Sequence, residues 1–215
     1  MRLGCFGCFF LVIAVLAALV VVGGVLFLSA NIFGTADTRP VTFSKADGYS
    51  AQQKLYELAL RQSGGSSRRD AIVLNEREIN AFLARHLAEV AGIPMSPLTV
   101  RFEKGQLYAQ GQTPLRSLFR GPPFAQLLHY LPDKRLDHPV WVTVRARISV
   151  EGPEGGANRY GTVHVIQFEL GRQLLSSFLL YVMMGPSGAG LFRWPVPGVV
   201  ENIQIGEGQA IVTTR

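Results

Sequence analysis

The stretch Ile72-Val-Leu-Asn-Glu-Arg-Glu-Ile-Asn-Ala-Phe-Leu83 contains the clearest local structural signal of the chain. Its first residues are apolar and mostly β-branched, which favours a short strand. Asn75 and Glu78 then form a capping box, in which the Asn75 side chain accepts a bond from a first-turn N–H and Glu78 reaches back. The residues that follow have apolar side chains at helical spacing. The stretch therefore predicts a strand that leads directly into an amphipathic helix.

The chain before this stretch predicts a linker and one short helix. Residues 31–49, which include Pro40 and Gly48, predict an extended linker. Residues 50–61 have helical spacing of apolar side chains, and Ser50 is a suitable N-cap. The folded domain is therefore expected to comprise residues 50–215.

Beyond the helix, alternating apolar and polar residues predict four strands. Residues 98–102 and 106–110 flank Lys104-Gly105 and predict a hairpin. Residues 138–150 and 159–170 predict two long strands, so the sheet is expected to be extended. Each long strand is expected to keep one face along its length: Val140, Val142, Val144, Ala146, Ile148 and Val150 in the first, and Tyr160, Thr162, His164, Ile166, Phe168 and Leu170 in the second.

Two strongly apolar stretches are candidates for lipid contact. Residues 115–131 are broken at Gly121-Pro122-Pro123 and predict two helical pieces, which either cover the sheet or form a lipid-facing lip. Residues 173–184 predict an apolar helix that is too short to span a bilayer and is either buried or placed against lipid. The predicted lipid-binding side chains are Phe119, Phe124, Leu127, Leu174, Leu175, Phe178, Leu179 and Val182.

The chain ends in a predicted hairpin, residues 200–205 and 209–213, that resembles the earlier one. Residues 100–109 and 203–212 share an apolar-polar-apolar pattern followed by two turn residues and a Gly-Gln pair. Each block follows a predicted apolar helix and a link that contains proline. The pattern favours a duplicated helix–hairpin unit at 72–112 and 173–214, although a glycine turn between alternating residues also arises by chance.

The N-terminus contains a predicted transmembrane anchor. Residues 3–28 are 26 residues without a charged or strongly polar side chain, and about 20 apolar residues span a bilayer core. A cleaved signal peptide and a buried helix remain alternatives, but the apolar stretch is longer than a signal peptide needs. Arg2 precedes it and Asp37 is the first charge after it, which favours a cytoplasmic N-terminus and an extracytoplasmic domain.

The distribution of charge argues against one class of partner. The formal charge is +6, but the basic residues are scattered and form no tract with interleaved aromatics, which argues against nucleic-acid binding.

Cys5 and Cys8 are the only cysteines, and both lie in the predicted anchor. We interpret them as small residues of the anchor, with acylation or redox chemistry as alternatives. The exported domain is therefore expected to fold without a disulfide.

No catalytic, metal or cofactor motif is present in the sequence. We find neither H-E-x-x-H nor G-x-x-x-x-G-K-[ST], so we expect no metal and no cofactor. Asp133, Asp137 and His138 lie close together and could form an acid/base pair or a weak metal site. Flanking prolines favour a solvated loop there instead, so we expect no enzyme activity.

The order of elements resembles small bacterial membrane-anchored proteins of the YpmS type and their LmeA-like relatives. The resemblance rests on the anchor, on Ile72–Leu83 as a strand followed by an E-I-N-x-x-L helix, and on Phe168-Glu-Leu-Gly171 leading into an apolar stretch and a last hairpin. These families are linked to tubular lipid-binding (TULIP) folds, so the resemblance implies a long curved sheet around an apolar helix that can hold acyl chains. Members usually have a proline soon after the strand that leads into the last helix. This chain departs from that pattern, because the corresponding residues are Arg172-Gln-Leu-Leu.

Taken together, the sequence predicts an α+β protein with an N-terminal transmembrane helix (1–30), a linker (31–49) and one extracytoplasmic domain (50–215). The domain is expected to have a long, curved antiparallel sheet packed on two or more apolar helices. The predicted function is non-enzymatic binding of membrane lipid or acyl chains at the membrane surface. The alternative is an accessory subunit that docks onto a larger membrane protein complex.

Overall fold

The computed structural model describes residues 31–34, 38, 40–91, 95–118, 136–152, 159–181 and 192–215, with the backbone alone for residues 87–91. The predicted anchor, residues 3–28, lies outside this part. Among the described residues, no helix is both long enough and apolar enough to cross a membrane.

The described elements confirm an α+β fold with long antiparallel strands. Residues 177–181 are also helical. In chain order the elements are α1 (Lys45–Gln62), β1 (Ile72–Asn75), α2 (Glu76–Ala91), β2 (Leu98–Glu103), β3 (Gln106–Pro114), α3 (Leu115–Leu118), β4 (Pro139–Glu151), β5 (Tyr160–Leu170), β6 (Gln173–Leu175), β7 (Arg193–Pro195), β8 (Val200–Ile205) and β9 (Gln209–Thr214).

Two antiparallel sheets organise the domain. The larger sheet has the strand order β2-β3-β4-β5-β6, and β7 pairs with the first residues of β5. The smaller sheet has the order β1-β9-β8. The largest apolar cluster, here called the Phe168 cluster, lies on the larger sheet and comprises Leu115, Leu118, Leu136, Val140, Val142, Phe168, Leu170 and Leu180.

The expectation that β5 keeps one face is wrong, because a β-bulge interrupts it. Arg145 pairs with Gln167, but the next residue of β4, Ala146, pairs with Val165, so Ile166 has no partner in β4. Directly opposed residues share a face, so the apolar face of β5 changes from even to odd positions at the bulge. An extra residue in one strand also bends it, in keeping with the curvature of the sheet.

Helix α2 begins as the capping box predicts. The backbone N–H of Glu78 donates to the Asn75 side chain and the backbone N–H of Asn75 donates to the Glu78 carboxylate, both at 2.9 Å. The sequence did not reveal that two further side chains of this helix bond to the edge of β2. The N–H of Phe102 donates to Glu76 at 2.6 Å, and Asn80 exchanges two bonds with the backbone of Val100 at 2.6 and 2.7 Å.

The two similar hairpins both form and meet turn to turn. The N–H of Gly105 donates to the carbonyl of Ile205, and the N–H of Gly208 donates to the carbonyl of Phe102, both at 2.9 Å. In the two matching blocks, Gly105 corresponds to Gly208 and Phe102 to Ile205, so the contact is reciprocal. The hairpins belong to different sheets. The duplication of a helix–hairpin unit stays a prediction, and residues 173–175, at the start of the second predicted unit, form a strand rather than a helix.

The predicted helix at 173–184 is therefore corrected at its N-terminal end. Residues Gln173–Leu175 form β6, which pairs with Phe168–Leu170 across the two-residue turn Gly171-Arg172. The turn overrides helical spacing because Gly171 has a φ of +62°, which suits a tight hairpin. Of the described residues of this stretch, 177–181 are helical.

The predicted linker at 31–49 is also corrected at both ends. Helix α1 begins at Lys45, five residues before the range predicted, because Ser44 and Asp47 form a capping box with bonds of 2.7 and 3.3 Å. At the other end, residues 31–34 (the docking segment) contact the larger sheet. Ile32 and Phe33 pack against the Phe168 cluster.

We predict that Asn80→Ala destabilises the protein by about 3 kcal/mol. Asn80 is 2 % exposed, and its removal leaves the buried N–H and carbonyl of Val100 without partners. The measurement is urea unfolding of the full chain in mild detergent. Asn202→Ala, at an exposed position, is the matched control and is expected to change stability by less than about 0.5 kcal/mol. Equal losses in the two variants would contradict the role assigned to Asn80.

Candidate lipid-facing surface

Three large apolar or aromatic side chains project from the edge of the larger sheet and the helical residues after it. Leu174 is 59 % exposed, Phe178 is 72 % exposed and Tyr181 is 40 % exposed. We call these three residues the apolar edge. Leu174 lies opposite Glu169 on the polar face of β5, whereas its neighbour Leu175 lies opposite Phe168 on the apolar face. The strand therefore turns one leucine outwards and the next inwards.

The inward-facing side chains hold this segment in place. Leu175 and Leu179 are half-buried and pack against the Phe168 cluster, and Leu180 is a buried member of it with 4 % exposure. Phe168 itself is fully buried. The described contact between residues 175–180 and the sheet is thus a packed core.

The structure divides the predicted lipid-binding residues into three groups. Leu174 and Phe178 are exposed, and Leu175 and Leu179 are partly covered by the core. The remaining four, Phe119, Phe124, Leu127 and Val182, lie outside the described residues.

The docking segment was not predicted to contribute to this surface. It lies against the Gly171-Arg172 turn, which leads directly into β6, because the N–H of Arg172 donates to the carbonyl of Asn31 at 2.8 Å. The one available sequence signal was the apolar pair Ile32-Phe33, which follows the predicted anchor and is unusual in a solvated linker.

Of the predicted acid/base residues, the two that the structure describes, Asp137 and His138, contact different partners. Asp137 forms an ion pair with Arg116 at 3.1 Å. His138 packs edge-on against the ring of Phe33, with 5.3 Å between ring centroids. Asp133 lies outside the described residues. Among the residues described, no group of three or more His, Cys, Asp or Glu side chains could hold a metal ion.

His164 has an acidic partner on the neighbouring strand. Its Nε2 lies 3.0 Å from the Ser149 hydroxyl and 3.4 Å from the Glu151 carboxylate. Both groups approach the same ring nitrogen, whereas a serine–histidine–acid relay needs the acid on the other nitrogen. All three side chains are largely exposed or half-exposed, and we interpret the contact as a cross-strand surface pair.

Two open grooves lie away from the apolar edge. One, of about 460 Å³, lies between the start of α1 and α2 and is lined by Phe43, Ser44, Lys45, Gly48, Tyr49, Ala81, Ala84 and Arg85. The other, of about 410 Å³, is lined by polar residues of α1 and by residues 70–73. Neither groove includes a predicted lipid-binding residue.

A salt bridge between Lys54 and Glu78 joins α1 to α2. Lys54 donates to both carboxylate oxygens of Glu78, at 2.6 and 2.8 Å, and Ser50 also donates to Glu78. Burial alone raises the pKa of Glu78. The hydrogen bonds from Lys54, Ser50 and the backbone of Asn75 outweigh this effect and hold the pKa below its ordinary value.

Comparison of the chain with protein-family models, curated proteins and solved structures finds no match.

The lowered pKa of Glu78 predicts a loss of stability in acid. The group contributes stability above its unfolded pKa of about 4.5, and this contribution is lost as pH falls through the lower folded pKa. We expect Glu78→Gln to cost about 2 kcal/mol at pH 7 and less at pH 3. The measurement is thermal unfolding across this pH range. Glu207→Gln, at an exposed position, serves as control, and a constant cost at all pH values would contradict the assignment.

The division of residues 174–180 into outward-facing and inward-facing side chains can be tested by stability. Phe178→Ala is expected to change the free energy of unfolding by less than about 0.5 kcal/mol, because the ring is exposed. Leu180→Ala is expected to cost about 2–4 kcal/mol through cavity formation. Thermal unfolding in detergent measures both, and similar values for the two variants would show that the packing described here is wrong.

Proposed function

We propose that this protein is a membrane-anchored domain, without enzymatic activity, that binds the acyl chains of lipids at the membrane surface. The observation that carries the proposal is the exposure of Leu174 and Phe178, 59 % and 72 %, on a rigidly held edge. Apolar residues scattered singly are common on surfaces, but two large exposed ones four positions apart, in a chain with a predicted anchor, favour a lipid contact.

The proposed contact is on the surface rather than in a closed cavity. The resemblance to YpmS-type and LmeA-like proteins implies a sheet that wraps around acyl chains. In the described part, however, Leu179 and Leu180 fill the space against the sheet. Acyl chains would therefore lie against the outward-facing Leu174 and Phe178. The proposed location is the outer face of a bacterial inner membrane, with residues 3–28 as a single-pass anchor and the N-terminus in the cytoplasm.

The second candidate is an accessory subunit of a membrane protein complex. It is favoured by the edge of β5, where residues 163–167 lie between the pairings with β7 and β6 and have no strand partner on that side among the described strands. An open strand edge can accept a strand from another protein. Ile166, which is 46 % exposed, would then contact that strand.

A lipid with a diazirine in its acyl chain distinguishes the two candidates. The full chain is placed in nanodiscs of phosphatidylethanolamine and phosphatidylglycerol that contain this lipid, and cross-linked peptides are mapped after irradiation. We expect the peptide with residues 173–181 to be labelled. In the double variant Leu174→Glu, Phe178→Glu, labelling is expected to fall about tenfold, because a charge is costly to place among acyl chains.

Tyr56→Glu is the matched control, because Tyr56 is 66 % exposed on α1, away from the apolar edge. Its labelling of residues 173–181 is expected to equal that of the unaltered chain. Labelling confined to residues 1–30 would contradict lipid binding by the domain. Cross-links to another protein from a photoreactive amino acid placed at Ile166, formed in native membranes, would support the accessory role instead.

A further inference from the structure

The docking segment, residues 31–34, is fixed to the turn that leads into the apolar edge. The carbonyl oxygen of Asn31 accepts bonds from the N–H of Arg172 at 2.8 Å and from the N–H of Gly34 at 3.2 Å. The N–H of Gly171 donates to the carbonyl of Trp141 at 2.7 Å, which ties the same turn to β4. Ile32 and Phe33 pack against the Phe168 cluster. Backbone and side-chain contacts thus hold the docking segment against this turn and against the larger sheet.

Gly171 is the residue that permits this contact. Its φ of +62° lies in the left-handed region that favours glycine. A Cβ at this position would also overlap the carbonyl oxygens of Asn31 and Ile32. The docking segment therefore fits against the turn only because position 171 has no side chain.

The short distance along the chain brings the apolar edge close to the predicted anchor. Leu28 ends the apolar stretch, and the three residues from there to Asn31 span at most about 11 Å. Leu174 follows Gly171 by three residues and therefore lies within about 11 Å of it. The interfacial layer of a bilayer is about 6 Å deep on each side. The apolar edge is thus within a short reach of the leaflet where the anchor would emerge.

We infer that the docking segment clamps the domain against its own bilayer, so that Leu174 and Phe178 enter the interfacial layer of the leaflet from which the chain emerges. The partner of the apolar edge is then that lipid surface. Tyr181 and the exposed Arg172 suit this position, because aromatic and basic side chains are favoured at the interface. The inference rests on the proposed function, since it requires that residues 3–28 span the membrane.

The test inserts Gly-Ser-Gly-Ser-Gly-Ser-Gly-Ser between Ala30 and Asn31 of the full chain. The insertion leaves every described contact intact but lengthens the path between anchor and clamp by up to about 26 Å. Labelling of residues 173–181 by the diazirine lipid, in the nanodiscs described above, is expected to fall at least about threefold, because a longer tether lowers the effective concentration of the edge at the surface.

Gly171→Ala is the second variant and is expected to give a similar decrease by displacing the docking segment. Gly64→Ala is its matched control, because Gly64 has a φ of +75° but open space around an added Cβ. The control imposes backbone strain without the overlap, and its labelling is expected to equal that of the unaltered chain.

The outcomes separate the inference from the proposed function. Unchanged labelling after the insertion would overturn the clamp while leaving lipid binding in place. Absence of labelling at residues 173–181 in the unaltered chain would overturn both. Cross-links to another protein from a photoreactive amino acid placed at Phe178, with no lipid labelling of residues 173–181, would show that the edge is a protein interface and would likewise overturn the clamp.

Discussion

The outer edge of β2 is the constraint on which the two-sheet arrangement depends. The N–H and carbonyl groups of Val100 and Phe102 point away from β3, and these two residues are 4 % and 3 % exposed. Buried backbone groups without partners are costly, so this edge must be satisfied from outside the sheet. Glu76 and Asn80, one turn apart on α2, and Gly208, in the turn of the smaller sheet, provide the four bonds. The edge therefore fixes the helix and both sheets relative to one another.

The sequence predicted those features of this junction that are determined by residues close together in the chain. The capping box of Asn75 and Glu78 and the two glycine turns depend on neighbouring residues, and both features are present in the structure. The bonds from Glu76 and Asn80 to β2 join residues 20 or more positions apart. No periodicity indicates such bonds, because a polar side chain at the start of a helix has the same local pattern whether it faces water or a strand edge.

The errors occur where a tertiary contact overrides a local pattern. The bulge at Ile166 reverses the faces of β5, although the alternation of its residues is regular. The pairing of β6 with β5 converts the first residues of an apolar helix-like stretch into a strand. The docking segment is not part of an extended linker, because its side chains pack against the Phe168 cluster and its backbone binds the turn at Gly171. The sequence therefore identified Leu174 and Phe178 as candidate residues by their apolar type. It did not predict the strand that carries Leu174 or the docking segment beside it.

The proposed lipid contact is weak by itself, and this explains why the docking segment matters. Full burial of a Leu or Phe side chain contributes about 1.5–3 kcal/mol, and Leu174 and Phe178 are already partly covered, so together they contribute about 3 kcal/mol. That corresponds to a factor of about 150, which is less than one acyl chain provides and is insufficient for stable membrane association. A second signal is required, and in the proposal the predicted anchor would supply it. The contact of residues 31–34 with the turn at Gly171 would then keep the apolar edge close to that anchor and raise the effective concentration of lipid at the edge.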